Sequence, residues 1–275
     1  MHDIRKLTFI GGGNMAAALI GGLTKRGVSA KHLVAADPSP EQLARLEQSF
    51  GVLTSTDNAS AVRDAEVVVI AVKPQQIRAV CQGLAPVLNS RPLVISVAAG
   101  IPHAALSRWL GSDVPVVRTM PNRPALNGFG ATGLYAPASV GAAHRALAES
   151  IMAAVSATVW VDHESQMDTV TALSGSGPAY FFLFMEALEA AARERGLPAD
   201  VAHQLTLATA YGAARMARES RDSLATLREQ VTSKGGTTAA ALAVLDAAGL
   251  RAIVAHAVAA ADRRSAELAA EFGGP

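Results

Sequence analysis

The sequence predicts an α/β domain over residues 1–161 followed by an all-helical domain over residues 162–275. Three observations support this prediction. The length of 275 residues suits two domains, since a domain typically has about 100–200 residues. In the first part of the chain, short runs rich in Val, Ile and Leu alternate with helical patterns, which is typical of α/β folds. After residue 162 no further strand pattern occurs, and only helical patterns remain.

The predicted strands are short, continuous apolar runs that are separated by amphipathic segments. Strands of this kind, alternating with helices, predict a parallel sheet that is covered on both faces. The runs are Leu7–Ile10, His32–Ala36, Val67–Val72, Pro92–Val97, Val114–Thr119, Thr132–Ala136 and Thr158–Val161. The helices predicted between them are Met15–Arg26, Pro40–Gln48, Gln75–Leu88, Ala104–Leu110 and Val140–Val155.

The first helix of the second domain is apolar nearly all round between Tyr180 and Leu188. A helix without a polar face has to be buried on every side. It is either the central core helix of one chain or a helix covered partly by a second subunit. We favour the second arrangement, because a small helical domain has difficulty surrounding such a helix alone. The predicted helices of this domain are Ala179–Arg195, Ala199–Arg218, Leu224–Val231, Thr237–Gly249 and Leu250–Glu271.

The composition excludes several classes of protein. The 24 basic and 23 acidic side chains nearly cancel, and aromatic residues make up 4% of the chain, so we expect no nucleic-acid partner. The one cysteine, Cys81, excludes an internal disulfide framework, and the dispersed histidines have no metal-binding spacing, so we expect no metal. No membrane-spanning stretch and no signal peptide stand out, the latter judged from residues 1–13. We therefore expect no membrane partner and a cytoplasmic location.

A glycine-rich turn follows the first predicted strand and opens the first helix. Its sequence runs from Gly11 through Gly13 to Ala16 and matches the G-x-G-x-x-A pattern in a strand–turn–helix setting. Gly11 permits the tight turn, Gly13 lets the backbone approach a pyrophosphate, and Ala16 allows close packing of helix on strand. This predicts a Rossmann-type dinucleotide site; the alternative is a glycine-rich turn that binds nothing.

Other strand ends of the first domain carry further candidates. Asp37 lies where an acid commonly bonds the ribose 2′-OH of NAD, although it is also a suitable turn or cap residue before Pro38. Lys73 is placed to meet a phosphate or ribose, or is simply a solvated lysine that opens a helix. Ala98 and Ala99 are small enough to leave room for a cofactor ring.

A second glycine-rich segment precedes an Ala-rich helix in the helical domain. It consists of Gly235, Gly236, Thr237 and Thr238. Successive N–H groups of such a segment can point into one concavity, and the helix start favours an anion, which suits a carboxylate. The alternative is an ordinary helix–helix connection with a threonine cap.

Six segments of the chain together resemble the pyrroline-5-carboxylate reductase family. They are FIGGGNMA, AVKPQ, SVAAG, RTMPN, LSGSGPAY and VTSKGGTT, in the order and spacing of that family and over almost the whole chain. The resemblance implies a Rossmann domain followed by a helical dimerisation domain with interlocking helices, and dimers that often form a decamer. It also implies reduction of 1-pyrroline-5-carboxylate to L-proline, the last step of proline synthesis, with NADPH (NADP) or NADH (NAD) as the coenzyme.

The resemblance also assigns roles to residues. Thr238 is the catalytic candidate, nearest the ring nitrogen of the substrate. The substrate-binding candidates are Glu164, Gly235, Gly236, Thr237 and Thr238. For the coenzyme the resemblance assigns Gly11, Gly13, Asn14, Met15, Asn58, Lys73 and Pro74, and the strand-end residues Asp37, Ala71, Val72, Ala98 and Ala99 complete the set of coenzyme-binding candidates.

Three residues depart from the family pattern, and two other functions stay open. Lys234 replaces a frequent Pro, Arg123 replaces a common Thr, and Asp37 argues against the usual NADPH preference. A dehydrogenase of the 3-hydroxyisobutyrate type would need a catalytic Lys on an early helix of the second domain, and residues 174–192 contain no Lys. A nucleotide-sensing protein without catalysis would share the fold but has no need of a second anion site.

Overall fold

The computed structural model describes residues 4–274, and these contain one eight-stranded sheet with strand order β3-β2-β1-β4-β5-β6-β7-β8. Residues 1–3, part of the segment judged for a signal peptide, lie outside the described residues. The strands are β1 (Leu7–Ile10), β2 (Leu33–Ala36), β3 (Leu53–Ser55), β4 (Val67–Ile70), β5 (Leu93–Ser96), β6 (Val116–Pro121), β7 (Gly130–Tyr135) and β8 (Ser156–Trp160).

Twelve α-helices accompany the sheet in the described part of the chain. Those up to residue 176 are α1 (Asn14–Lys25), α2 (Pro40–Phe50), α3 (Asn58–Ala61), α4 (Pro74–Leu84), α5 (His103–Leu110), α6 (Ala142–Met152) and α7 (Gln166–Val170). The others are α8 (Gly177–Glu194), α9 (Ala199–Glu219), α10 (Leu224–Gln230), α11 (Thr237–Ala247) and α12 (Leu250–Gly273). Short 3₁₀ segments occur at Ala30–His32, Ala85–Val87 and Arg123–Asn127, and a π-helical turn spans Thr171–Gly175.

Both faces of the sheet are buried, as the continuous apolar runs predict. In β4, Val67 and Val69 belong to one core cluster, and Val68 and Ile70 belong to a second one. Successive side chains of a strand point to opposite faces, so the two clusters lie on opposite sides of the sheet. All four side chains are fully buried. The prediction of an α/β Rossmann-like domain is confirmed.

One strand pair departs from the predicted parallel sheet: β6 and β7 are antiparallel, with Thr119 opposite Leu134. The connection between them contains only the 3₁₀ segment Arg123–Asn127. A parallel crossover needs a dozen or more residues, so this short connection returns the chain in the opposite direction. The short elements β3, α3 and α7 were also not predicted, because three to five residues carry too little periodicity.

The chain divides into two compact units. Unit 1 runs to Ser176 and includes the residues from Ala260 onward, and unit 2 is Gly177–Ala259. This division lies later in the chain than the predicted boundary between residues 161 and 162, which stays a prediction about domains. The end of α12 belongs to unit 1 because it packs there: Ser265 Oγ donates to Asp168 Oδ1 at 2.7 Å.

Unit 2 exposes large apolar side chains on α8. Phe181, Phe182 and Leu183 are 72%, 62% and 68% exposed in the single chain. The interpretation of this helix as the central core helix of one chain is therefore wrong, because the remaining helices leave much of its apolar surface uncovered.

Across the described residues no single helix is long and apolar enough to span a membrane. The helices α11 and α12, bent by 53° relative to each other, meet the criteria of length and composition only when they are taken together.

Candidate active site

The glycine-rich turn lies at the carboxyl end of β1, between the ends of two neighbouring strands. Gly11 has φ +99°, and a Cβ built on it would lie 2.7 Å from the carbonyl oxygen of Ala71, so no larger residue fits without displacement. The Gly11 N–H donates to the carbonyl of Ala36 at 2.8 Å, and the Ala71 N–H donates to that of Ile10 at 2.7 Å. These contacts hold the turn against both β2 and β4.

Gly13 leaves the start of α1 open to an anion. It is the N-cap residue of α1, it supplies no side-chain cap, and a Cβ at this position would have no atom within 4 Å. The amide groups of the first helical turn lack intrahelical partners and, together with the helix dipole, favour a phosphate group. Asn14, the first residue of α1, is exposed, Met15 is half-buried, and Ala16 is fully buried.

A cleft of about 630 Å³ lies beside this turn. Seven of the predicted coenzyme residues line it, namely Gly11, Gly13, Asp37, Asn58, Ala71, Val72 and Lys73. The other five predicted residues are not among its lining residues, namely Asn14, Met15, Pro74, Ala98 and Ala99. The sequence interpretation missed the polar residues Gln42, Thr56, Gln75 and Gln76, which also line the cleft. Contact of each residue with a coenzyme stays a prediction.

Asp37 has two backbone partners in the turn after β2. Its Oδ2 accepts the N–H of Gly12 at 2.8 Å, and its Oδ1 accepts the N–H of Ser39 at 2.8 Å. Ser39 in turn caps α2 by accepting the Gln42 N–H at 3.3 Å. Asp37 is therefore a turn residue that links the two loops, and it also lines the cleft. An ionised carboxylate has about four acceptor sites, so two remain for a ribose hydroxyl.

Glu164 lies just before α7 and forms a hydrogen bond and an ion pair with other residues of unit 1. Its Oε1 accepts the backbone N–H of His103 at 2.5 Å and is also bonded to Nη1 of Arg118. Arg118 is 7% exposed and lies on β6. The predicted contact of Glu164 with substrate stays a prediction. Sequence reasoning missed Arg118, although a charged residue inside the apolar run Val114–Thr119 was a usable signal.

Burial disfavours the protonated form of the His103 ring. Burial lowers the pKa of His103 from its ordinary value of 6.5; the Glu164 carboxylate and a hydrogen bond with the Val116 backbone act in the opposite direction, and Arg118 lowers the pKa further. The ring also meets the Tyr135 ring edge-on, with the centroids 6.4 Å apart. Since the folded state binds the proton less readily than the unfolded chain, its stability falls as the pH drops below about 6.5.

We expect His103→Gln to reduce this pH dependence. Below pH 6.5 the wild type should lose unfolding free energy with a slope that exceeds that of the variant by at most about 1.4 kcal/mol per pH unit, the value for one proton. Denaturant titrations at pH 7.5 and 5.5, at one protein concentration, measure the difference. His163→Gln, at an exposed position, is the control. Equal slopes for wild type and His103→Gln would contradict the assignment.

The second glycine-rich segment opens α11 in unit 2. Gly235 has φ +72°, a conformation that favours glycine, whereas a Cβ at Gly236 would lie 2.3 Å from Ser233 Oγ and would require that side chain to move. Gly236 is the N-cap residue of α11 and provides no side-chain cap. The helix starts at Thr237, and Thr238 follows it, half-buried. The uncapped amides and the two hydroxyls suit a carboxylate, and the binding roles of Gly235–Thr238 stay predictions. Two residues that depart from the family pattern, Lys234 beside this segment and Arg123 in unit 1, are both exposed.

The strand order, the glycine-rich turn and the cleft beside it define a dinucleotide-binding protein of the Rossmann class. Comparison with known proteins then gives the family. A family model described as pyrroline-5-carboxylate reductase dimerisation matches residues 164–268, and one described as NADP oxidoreductase, coenzyme F420-dependent, matches residues 6–100. The chain is 52% identical to a pyrroline-5-carboxylate reductase of Pseudomonas aeruginosa over 268 residues, 98% of either chain. It belongs to the pyrroline-5-carboxylate reductase family, so the resemblance seen in its motifs is confirmed.

Solved structures agree with this assignment. A pyrroline-5-carboxylate reductase from Coxiella burnetii is similar with a TM-score of 0.93 and 44% identity, over 96% of this chain and 98% of the other. A pyrroline carboxylate reductase from Plasmodium falciparum, with NADP bound, is similar with a TM-score of 0.84 and 30% identity, over 98% and 99%. The helical part of the chain is a dimerisation domain of this family.

Proposed function

We propose that this protein reduces 1-pyrroline-5-carboxylate to L-proline by hydride transfer from NADPH or NADH, the last step of proline synthesis. The observation that carries the proposal is the presence, in a chain of this family, of two separate glycine-rich helix starts that have no side-chain cap. One is the start of α1 beside the cleft of unit 1, and the other is the uncapped start of α11 in unit 2. The first suits the pyrophosphate of a coenzyme and the second suits the substrate carboxylate.

The residues of the cleft fit a nicotinamide coenzyme. The open space at Gly13 and the uncapped start of α1 accommodate the pyrophosphate. When bound, the coenzyme supplies a hydride for the carbon of the C=N bond. We propose that Gly11 and Gly13 hold the pyrophosphate close to the backbone, and that Asn58 and Lys73 bind the adenosine half. Among the residues that line this cleft, Asp37 is the one acidic residue and Lys73 is the one basic residue.

The chain is proposed to act by positioning rather than by acid–base chemistry. The protonated cyclic imine is already an electrophile, so the reaction mainly needs its carbon held at the right distance and angle. Such positioning supplies about 7–11 kcal/mol in favourable cases. The amides at Gly235–Thr238 bind the carboxylate, and the hydroxyl of Thr238 orients the ring nitrogen, which keeps its proton as C=N becomes C–N.

We propose NADPH as the coenzyme, with NADH as a second one. The charge of Asp37 disfavours a 2′-phosphate, but its two backbone N–H partners and Lys73 across the same cleft offset that charge. Initial rates with pyrroline-5-carboxylate, measured with NADPH and with NADH, test both proposals at once. Turnover with either coenzyme supports the reductase, and the ratio of rates reports on Asp37. Coenzyme binding without turnover would overturn the reductase and favour a nucleotide sensor.

Thr238→Ala should lower kcat/KM by about ten- to a hundred-fold, because one hydrogen bond to the reacting ring is lost. Thr238→Ser keeps the hydroxyl and should retain most of the activity. Thr232→Ala is the matched control, because Thr232 lies in the same connection but donates its hydroxyl to the backbone of Arg228 at 2.6 Å. Steady-state kinetics of the three variants check this, and unchanged kinetics of Thr238→Ala would remove its catalytic role.

The assembly is proposed to be a homodimer formed through the helical unit, with a decamer built from such dimers as a further step. The exposed apolar surface of α8 and the family's dimerisation domain support the dimer. We place the reaction in the cytoplasm, since a reducing compartment suits a chain whose Cys81 is a free, buried thiol.

A further inference from the structure

The loop between β5 and α5, residues 97–102, is fixed at both ends and in the middle. At its start the Val97 N–H donates to the carbonyl of Ile70, on β4, at 3.1 Å. In its middle Gly100, with φ +71°, packs against Leu268 near the end of α12, and a Cβ there would lie 3.5 Å from the Leu268 Cβ. At its end the His103 N–H donates to the Glu164 carboxylate. Contacts at these three points therefore hold the loop in place.

Glu164 supplies the cap that α5 lacks. The residue before the helix is Pro102, which offers no side-chain cap to the first amide groups. The Glu164 carboxylate accepts the first of these amides, that of His103, from a position 61 residues further along the chain. A carboxylate at a helix start is favoured both by the hydrogen bond and by the helix dipole.

Arg118 fixes the carboxylate in turn. Arg118 is buried on β6, and the one carboxylate within ion-pair distance of it, among the described residues, is that of Glu164. A buried guanidinium requires a partner, so Arg118 keeps the carboxylate at one place. The chain of contacts thus runs from the sheet through Arg118 and Glu164 to the end of the loop that contains Ala98 and Ala99.

We propose that Glu164 is a positioning residue for hydride transfer, which holds the loop of Ala98 and Ala99 at the reactive ring of the coenzyme. This deepens the proposed function and rests on it, because it needs a bound hydride donor, and Ala98 and Ala99 are the residues that the sequence predicts to leave room for its ring. It differs from direct substrate contact: Glu164 acts through the His103 amide and leaves the binding of the imine to other groups.

The kinetic parameters distinguish the two roles. Under the positioning role, Glu164→Ala lowers kcat by about ten- to a hundred-fold, as a misplaced reacting group does. The dissociation constant of NADPH and the KM of pyrroline-5-carboxylate then change by less than about three-fold, because the groups that bind both ligands remain. Direct contact predicts instead a raised KM for pyrroline-5-carboxylate with kcat unchanged.

Two further variants separate positioning from general destabilisation. Glu164→Gln keeps an acceptor for the His103 N–H and should recover kcat to within about three-fold of the wild type, at a temperature well below unfolding. Glu149→Gln is the matched control, since Glu149 accepts hydrogen bonds from Thr158 and Trp160 at 3.3 and 3.1 Å, within the same unit. It should leave kcat unchanged. With deuterated NADPH, Glu164→Ala should also show a larger isotope effect on kcat than the wild type, because a misplaced ring slows the hydride step itself.

The outcomes are decisive in both directions. A low kcat in Glu164→Ala, rescued by Glu164→Gln and accompanied by a larger isotope effect, supports the positioning role. A raised KM for pyrroline-5-carboxylate alone, or wild-type kinetics, overturns it. If Glu164→Ala does not fold, Glu164→Gln and Arg118→Met together carry the test: wild-type kcat in Arg118→Met overturns the proposal. A wild type that binds NADPH but does not turn over would be a failure of the proposed function, and is seen before any variant is made.

Discussion

Gly11→Ala should lose coenzyme binding and a large part of its stability. At φ +99° a side chain is strained by about 1–2 kcal/mol. The added methyl group also meets the Ala71 carbonyl oxygen at 2.7 Å, and this oxygen belongs to the backbone of the strand end, which has little freedom to move. Overpacking of this kind costs about 1–3 kcal/mol. Relief of the contact moves the turn away from β4, and the amides of α1 then no longer point at the pyrophosphate.

The expected result is a fall in unfolding free energy of about 2–5 kcal/mol and a dissociation constant for NADPH that is at least about a hundred-fold higher. Denaturant titration and fluorescence titration of the coenzyme measure the two effects. Gly27→Ala is the matched control. Gly27 has φ +89° but no atom within 4 Å of its added Cβ, so this variant carries the strain without the contact. It should lose stability alone and bind NADPH as the wild type does.

Gly13→Ala keeps the prediction testable if Gly11→Ala does not fold. A Cβ on Gly13 has no atom within 4 Å, so the fold accepts it. The methyl group then occupies the space that a pyrophosphate needs, and NADPH should bind about ten- to a hundred-fold more weakly at wild-type stability. If both glycine variants bind NADPH normally, the coenzyme does not lie on this turn.

The sheet was largely predictable because its strands are buried on both faces. Continuous apolar runs such as Val67–Val72 mark such strands, and here the run identifies β4 with two extra residues at its end. The antiparallel pair β6–β7 was not predictable in this way, since both of its strands are buried and resemble parallel strands. Its direction is set by the length of the connection and not by the strands themselves.

The candidate site was predictable where the chemistry is local. Gly11 and Gly13 belong to one short motif, and the structure gives each the geometry that the motif requires. The partners of Glu164 were not predictable, because Arg118 and His103 lie 46 and 61 residues away along the chain. A helical pattern also does not say which unit it packs against, which is why the return of α12 to unit 1 was missed.

Leu183→Asp should convert the protein to monomers. Leu183, Phe181 and Phe182 lie 62–72% exposed on α8 in the single chain, and monomers rarely expose such a contiguous apolar patch. Each large apolar side chain buried in an interface contributes about 1.5–3 kcal/mol, and a two-fold interface counts the patch twice. An aspartate there must instead be buried without a partner, which costs several kcal/mol more.

Sedimentation velocity at about 1 μM measures the change. A dimer of about nanomolar affinity that loses about 6 kcal/mol has a dissociation constant of about 25 μM, so more than about 90% of the protein is then monomeric. Leu53→Asp is the matched control: Leu53 is 54% exposed, on the edge strand β3 of unit 1, and its substitution should leave the dimer intact.

The Leu183→Asp monomer should still fold. Because Leu183 is exposed in the single chain, an aspartate at this position makes no new contact inside the monomer. Because the coenzyme cleft lies within unit 1, the Leu183→Asp monomer should still bind NADPH with wild-type affinity. A monomer that loses NADPH binding would show that the coenzyme cleft depends on the partner subunit, and a dimer that survives Leu183→Asp would place the interface on another face of unit 2.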